Sequence, residues 1–219
     1  MALAALLTVV AGFAPTYFLK SHFGGPALSP LVHAHGALFT AWMVLFLVQS
    51  LLVAMKRTDL HRRLGVAGGL LAVGMPLVGA AVAIDAARRG VTPPGGPPPL
   101  VFLAIPLGDV VAFSTLVATG LAFRRRSEIH KRLMLLATIG LLTPAIARLP
   151  FILTAGPLAY FGLTDVFVAV CLVYDRLTLG RISRAFLWGG LFLVASQALR
   201  LVIAFTPAWL AFAGWLTRV

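Results

Sequence analysis

The sequence predicts an all-α polytopic membrane bundle of seven transmembrane helices, with the N-terminus cytoplasmic and the C-terminus periplasmic. Three observations predict it. The 219 residues are 60% hydrophobic and 11% charged, with a mean hydropathy of +1.00. A soluble domain carries about 25% charge, so this composition excludes soluble enzymes, DNA readers and disordered chains. The apolar residues also run in stretches of about 20, the length that crosses a bilayer core as a helix. Finally, basic residues gather at alternate turns, as topology requires.

The uninterrupted apolar stretches fall near 2–19, 30–55, 62–86, 100–123, 132–152, 157–177 and 184–206. They make a single transmembrane domain over 1–219, with no room for a soluble one. Turn chemistry separates them: Gly24, Gly25 and Pro26 before the second, the Pro93–Pro99 run with Gly95 and Gly96 before the fourth, Gly156 and Pro157 before the sixth. Ser29 is the expected cap of the second helix and Pro30 its first residue. Residues 2–19 lack a charged leader and a small-residue cleavage site, so they read as a retained span.

Lys56, Arg57, Arg62 and Arg63 lie at the second turn, Arg124, Arg125, Arg126, Lys131 and Arg132 at the fourth, and Arg176, Arg181 and Arg184 at the sixth. The opposite end has only Lys20, Arg88, Arg89 and Arg218. Lys and Arg in short loops stay cytoplasmic, which orients the bundle in a bacterial inner membrane. The net charge of +12 is therefore a topology signal, and nucleic acid is not an expected partner. The expected partner is the lipid bilayer, with other membrane subunits or a homo-oligomer left open. Trp188, Trp209 and Trp215 suit interfacial anchoring. The single Cys171 allows no intrachain disulfide or thiolate cluster and reads as packing.

Thr58-Asp59-Leu60-His61-Arg62-Arg63-Leu64 and Ser127-Glu128-Ile129-His130-Lys131-Arg132-Leu133 match class for class, 69 residues apart. Each reads as a helix start, with Thr58 or Ser127 as N-cap and an acid near the positive helix end. A weaker third copy, Gly180-Arg181-Ile182-Ser183-Arg184, has Ser in place of His. The pattern of HAHG at 33–36 followed by LHRRLG at 60–65 resembles a helical hairpin of uncharacterised bacterial polytopic membrane protein families, and faintly transmembrane cytochromes b. The likeness covers roughly 33–65 and, less clearly, 124–150. The first resemblance implies a membrane bundle and no activity. The second implies haem b held by paired His on facing helices, and here the later spans contain no His.

Chemistry-bearing residues group at two depths. Asp109, Arg148, Asp165 and Arg200 fall within spans, in the outer half of the membrane. Such charges cost from about 2.5 kcal/mol upward on insertion scales, so they turn inward and pair. One reading is an electrically balanced network that pins four helices. The other is a periplasm-facing pocket that binds or translocates a small ligand or proton, with His35 and Gln197 as further ligand-binding residues. His35 continues an aromatic face through Phe39, Trp42 and Phe46. His33 and His35 are the candidate metal ligands, but two positions apart means about 200° around a helix, which sets their rings on opposite sides. At the cytoplasmic end His61 and His130 are the candidate haem b ligands, as neutral imidazoles suited to iron, or else they fasten the turns. No lysine lies deep in a span, which excludes a retinal Schiff base. HExxH, GxSxG and Walker patterns are absent. Three function classes therefore stay open: a pocket protein, a haem b redox protein, and a non-catalytic accessory subunit of a larger complex. No catalytic residue is assigned, and the sequence does not make the chain an enzyme.

Overall fold

A computed structural model describes residues 1–93, 95–152 and 154–218. It is helical, with no strand among the described residues. Besides one short turn of helix at Lys20–Phe23, the helices are α1 (Ala2–Phe18), α2 (Pro30–Ala54), α3 (Thr58–Arg88), α4 (Pro99–Ala122), α5 (Ser127–Ile146), α6 (Pro157–Leu179), α7 (Arg184–Ile203) and α8 (Pro207–Thr217). Six of them, α2 to α7, are long and apolar enough to cross a membrane. α1 is shorter, and its last turn, Ala14–Phe18, is wound as a π-helix around Pro15. The multi-pass character expected from composition therefore stands on six helices.

The outer surface carries the second sign of a lipid environment. Val66, Leu70, Val73 and Leu77 of α3 are 68–72% exposed, and their spacing of four, three and four puts them on one stripe. A stripe this apolar faces hydrocarbon. Polar contacts are turned inward instead. The indole of Trp42 on α2 donates to Thr138 Oγ1 on α5 at 3.3 Å, and the Thr143 and Thr164 hydroxyls meet at 2.9 Å between α5 and α6.

α5 is the centre of the bundle. Leu136, Ala137, Ile139, Leu142 and Ala145 are fully buried where α4, α7, α6 and α1 pack around it. α2 lies along α3, and α3 against α4. The backbone of Gly12 in α1 rests directly on the Ala145 carbonyl, a position where any side chain would overlap the α5 main chain. Small residues permit this approach between membrane helices.

Helix starts differ in an instructive way. Ser29 caps α2 through a 3.3 Å bond from Val32 N–H, with Pro30 in the first turn as expected. Ser183 caps α7, accepting from Phe186 N–H at 3.2 Å. Thr58 and Ser127, expected as caps, are instead the first helical residues behind Arg57 and Arg126, and neither helix has a side-chain cap. The acids of the repeat serve differently: Asp59 lies 3.6 Å from Arg57, and Glu128 takes Lys131 at 2.7 Å.

Two boundaries also move. Helix α5 ends at Ile146, so Arg148 sits in the turn beyond it, not inside a span ending at 152. Pro150 explains this, because it disfavours helical geometry at the residue before it. Past α7 the chain forms a further helix, α8, capped by Thr206, and the Trp209 indole donates to the Leu100 carbonyl at 2.8 Å.

Candidate functional site

The polar groups expected in the outer half come together only in part. Arg200, 6% exposed, reaches across from α7 to α4 and pairs with Asp109. Its remaining donors are also used: Nε to the Ser196 carbonyl at 3.1 Å, Nη2 to Ser196 Oγ at 3.0 Å, and Nη1 to the Ile105 carbonyl at 3.3 Å. The guanidinium lies 5.7 Å from the Phe161 ring centre. Gly108 makes the crossing possible, since a Cβ there would overlap the Arg200 side chain. Ser196 was legible from its place one turn before Arg200, but the need for a glycine at 108 was not, because it arises between helices.

The other two charges do not join this pair. Arg148 donates to the Pro144 carbonyl at 2.7 Å and lies over the Phe13 ring at 4.5 Å, a cation–π contact with α1. It makes no ion pair among the described residues. Asp165 on α6 has a buried Oδ1 with no hydrogen-bond partner and lies beside Gln197, which is 4% exposed on α7. Of the six acids in the sequence, Asp59, Asp85, Asp109, Glu128 and Asp175 each pair with Arg. Asp165 is the exception.

His35 is half-buried, stacked on Phe39 with ring centres 4.1 Å apart. Its Nδ1 is buried without a partner, and Arg148 is within electrostatic reach. His33 is exposed and faces another way, with its ring 5.9 Å from that of Tyr17. No group of three or more His, Cys, Asp or Glu side chains is placed to hold a metal among the described residues. Tyr17, Lys20 and His33 line a separate surface groove of about 510 Å³.

The opposite end of the bundle holds a buried network that the sequence did not reveal. Arg132, counted there among the loop cations, is 4% exposed, and Asp175 of α6 is 1% exposed. They form a two-pronged pair, Nη2–Oδ1 at 2.7 Å and Nε–Oδ2 at 3.0 Å. Ser183 N–H donates to Asp175 Oδ2 at 3.1 Å, and Arg132 Nη1 donates to the Glu128 carbonyl at 2.8 Å. The available signal was Asp175 itself, an acid just inside a span end with the third copy of the basic repeat beginning five residues on. Alongside, the duplicated His61 and His130 meet, their ring centres 6.4 Å apart at 79°. His130 Nδ1 is bonded to the Gly120 carbonyl at 2.8 Å. His61 Nδ1 and Gln49 Oε1 are buried without partners.

No protein-family model matches the chain, and no curated protein or solved structure matches it either. Function therefore rests on the residues themselves.

Proposed function

We propose that this is a seven-span inner-membrane protein, N-terminus inside and C-terminus outside, whose outer cluster binds or translocates a small ligand, with α1 as the seventh crossing. Lys and Arg at alternate turns support the orientation. The observation that carries the ligand reading is the set of unmatched groups around α5 and α6. Two buried atoms there have no partner, His35 Nδ1 and Asp165 Oδ1, and the nearby Arg148, exposed and donating to the Pro144 carbonyl, has no carboxylate partner among the described residues. Buried polar atoms are nearly always hydrogen-bonded, and exceptions concentrate where a ligand, ion or water completes the set. An unneutralised Arg within electrostatic reach of a His favours a small anion. Asp109 and Arg200 are already matched to each other.

The test is a thermal-shift titration of the detergent-purified protein with inorganic phosphate, acetate and sulfate. At least one anion raises the midpoint in the wild type. His35→Ala or Arg148→Gln abolishes that rise, and His61→Gln leaves it intact. Equal shifts in all four proteins would remove the outer site as the cause.

A second reading has one specific observation in its favour. Two imidazoles whose ring centres lie 6.4 Å apart, one with its Nδ1 fixed by a backbone carbonyl, are the kind of pair that ligates haem iron. A Soret band in the purified protein, lost in His61→Gln and in His130→Gln, would promote haem b redox chemistry over the pocket. A colourless protein that responds to anions would retire it.

A further inference from the structure

At the basic end, between α4, α5 and α7, the bundle surface opens into a groove of about 420 Å³. Its floor is apolar: Leu116 and Leu133 are buried, and so is Gly189. A Cβ on Gly189 would meet Leu136 at 2.6 Å and Leu133 at 3.1 Å, so this glycine sets how closely α7 approaches α5. Phe123, Trp188 and Phe192 form the sides, and the Thr119 hydroxyl is already given to the Thr115 carbonyl at 2.7 Å. Such walls solvate hydrocarbon.

Only two charged residues line the groove, Glu128 and Arg184, and they differ in one respect. The Glu128 carboxylate is held by Lys131 and Arg132. Arg184 is exposed and makes neither an ion pair nor a side-chain hydrogen bond among the described residues. The one unmatched charge at the mouth is thus positive, in a region that also carries Arg125 and Arg181. An indole at this position suits the headgroup level of a bilayer.

We propose that this groove is a binding site for an anionic phospholipid, with one acyl chain along Leu116, Leu133 and Phe192 and its phosphate at Arg184. A neutral lipid fills the same apolar floor but leaves Arg184 unmatched, so the site selects by headgroup. A single basic residue near an anionic bilayer surface contributes about a fivefold preference. The site lies at the opposite end from His35, and its success or failure is independent of the pocket reading above.

Trp188 lies in the groove wall and reports occupancy. The full chain is reconstituted in vesicles of phosphatidylcholine containing a fixed fraction of acyl-brominated phosphatidylglycerol or acyl-brominated phosphatidylcholine, and tryptophan quenching is measured. A Trp188→Phe variant supplies the background from the other indoles. The expected result is about fivefold stronger quenching of Trp188 by the anionic brominated lipid. That preference falls close to one in Arg184→Gln. It also falls in Thr119→Trp, which fills the groove and leaves Arg184 in place, once the signal of the added indole is removed with Thr119→Trp/Trp188→Phe. Equal quenching by both lipids in the wild type would overturn the proposal, as would a preference unchanged in Arg184→Gln. Loss of quenching by either lipid as the protein density in the vesicle rises would overturn it too, in favour of a second copy as occupant.

Discussion

Replacing Asp175 by Leu strands the Arg132 guanidinium in the bundle interior. Breaking a buried ion pair from one side costs about 3–5 kcal/mol, because the remaining charge is left without a partner. Here Arg132 keeps its bond to the Glu128 carbonyl and the exposed Glu128 carboxylate, which places the loss at the lower end, about 3 kcal/mol. The Ser183 N–H also loses its acceptor, adding about 1 kcal/mol. Arg132→Met/Asp175→Leu removes both charges. Met can keep a sulfur–aromatic contact with Phe186, whose ring now lies 5.3 Å from the guanidinium. The double variant should therefore be destabilised only by the Ser183 term, about 1 kcal/mol, which is about 3 kcal/mol less than Asp175→Leu alone and well below the sum of the two single variants, since Arg132→Met strands the buried Asp175 in its turn. Equilibrium unfolding in mixed micelles by added dodecyl sulfate, followed by tryptophan fluorescence, measures all four corners of the cycle. A double variant as unstable as the sum of its singles, or an Asp175→Leu loss below about 1 kcal/mol, would show that this pair does not hold α5 to α6.

Two glycines should respond in opposite directions in the same assay. Gly108→Ala forces Arg200 out of its bonds and should cost about 2 kcal/mol, whereas Gly74→Ala, with open space around its Cβ position, should gain about 0.5–1 kcal/mol from helix propensity. Trp209→Phe deletes the bond to the Leu100 carbonyl, so amide exchange in α8 should speed up about fivefold, equivalent to about 1 kcal/mol of lost anchoring, while α4 is unaffected. A periplasmic phosphatase fused at the C-terminus should be active and one fused after Arg126 inactive; the reverse pattern would invert both ends of the bundle.

Most of the helices were legible in the sequence because span length and hydropathy are local properties. Ser29 followed by Pro30 marked the start of α2, and Gly156 followed by Pro157 that of α6, through backbone chemistry that holds in any environment. What failed was whatever depends on a neighbour. Thr58 and Ser127 have the right residue type for caps, but one residue of phase puts them inside the helix. Arg132 looked like one more cation in a basic turn, since only the packing of α6 supplies the buried Asp175 that claims it. Arg148 and Asp165 looked like partners from depth alone, yet the turn after Ile146 points Arg148 at Phe13. Depth is readable from sequence; azimuth around the bundle is set by packing.

The 31 residues of α3 amount to a rod of about 46 Å, against a hydrocarbon slab of about 30 Å. Such a rod must lean or protrude, and the degree of lean depends on the thickness of the bilayer around it. Pro76 sits near its middle, where the missing N–H and the ring's clash with the preceding turn weaken the ladder. His61 rides on one end and Asp85 on the other. A thinner membrane would tilt both ends against the shorter α4 beside them, so the thickness of the bilayer bears on how this one rod lies along its neighbours.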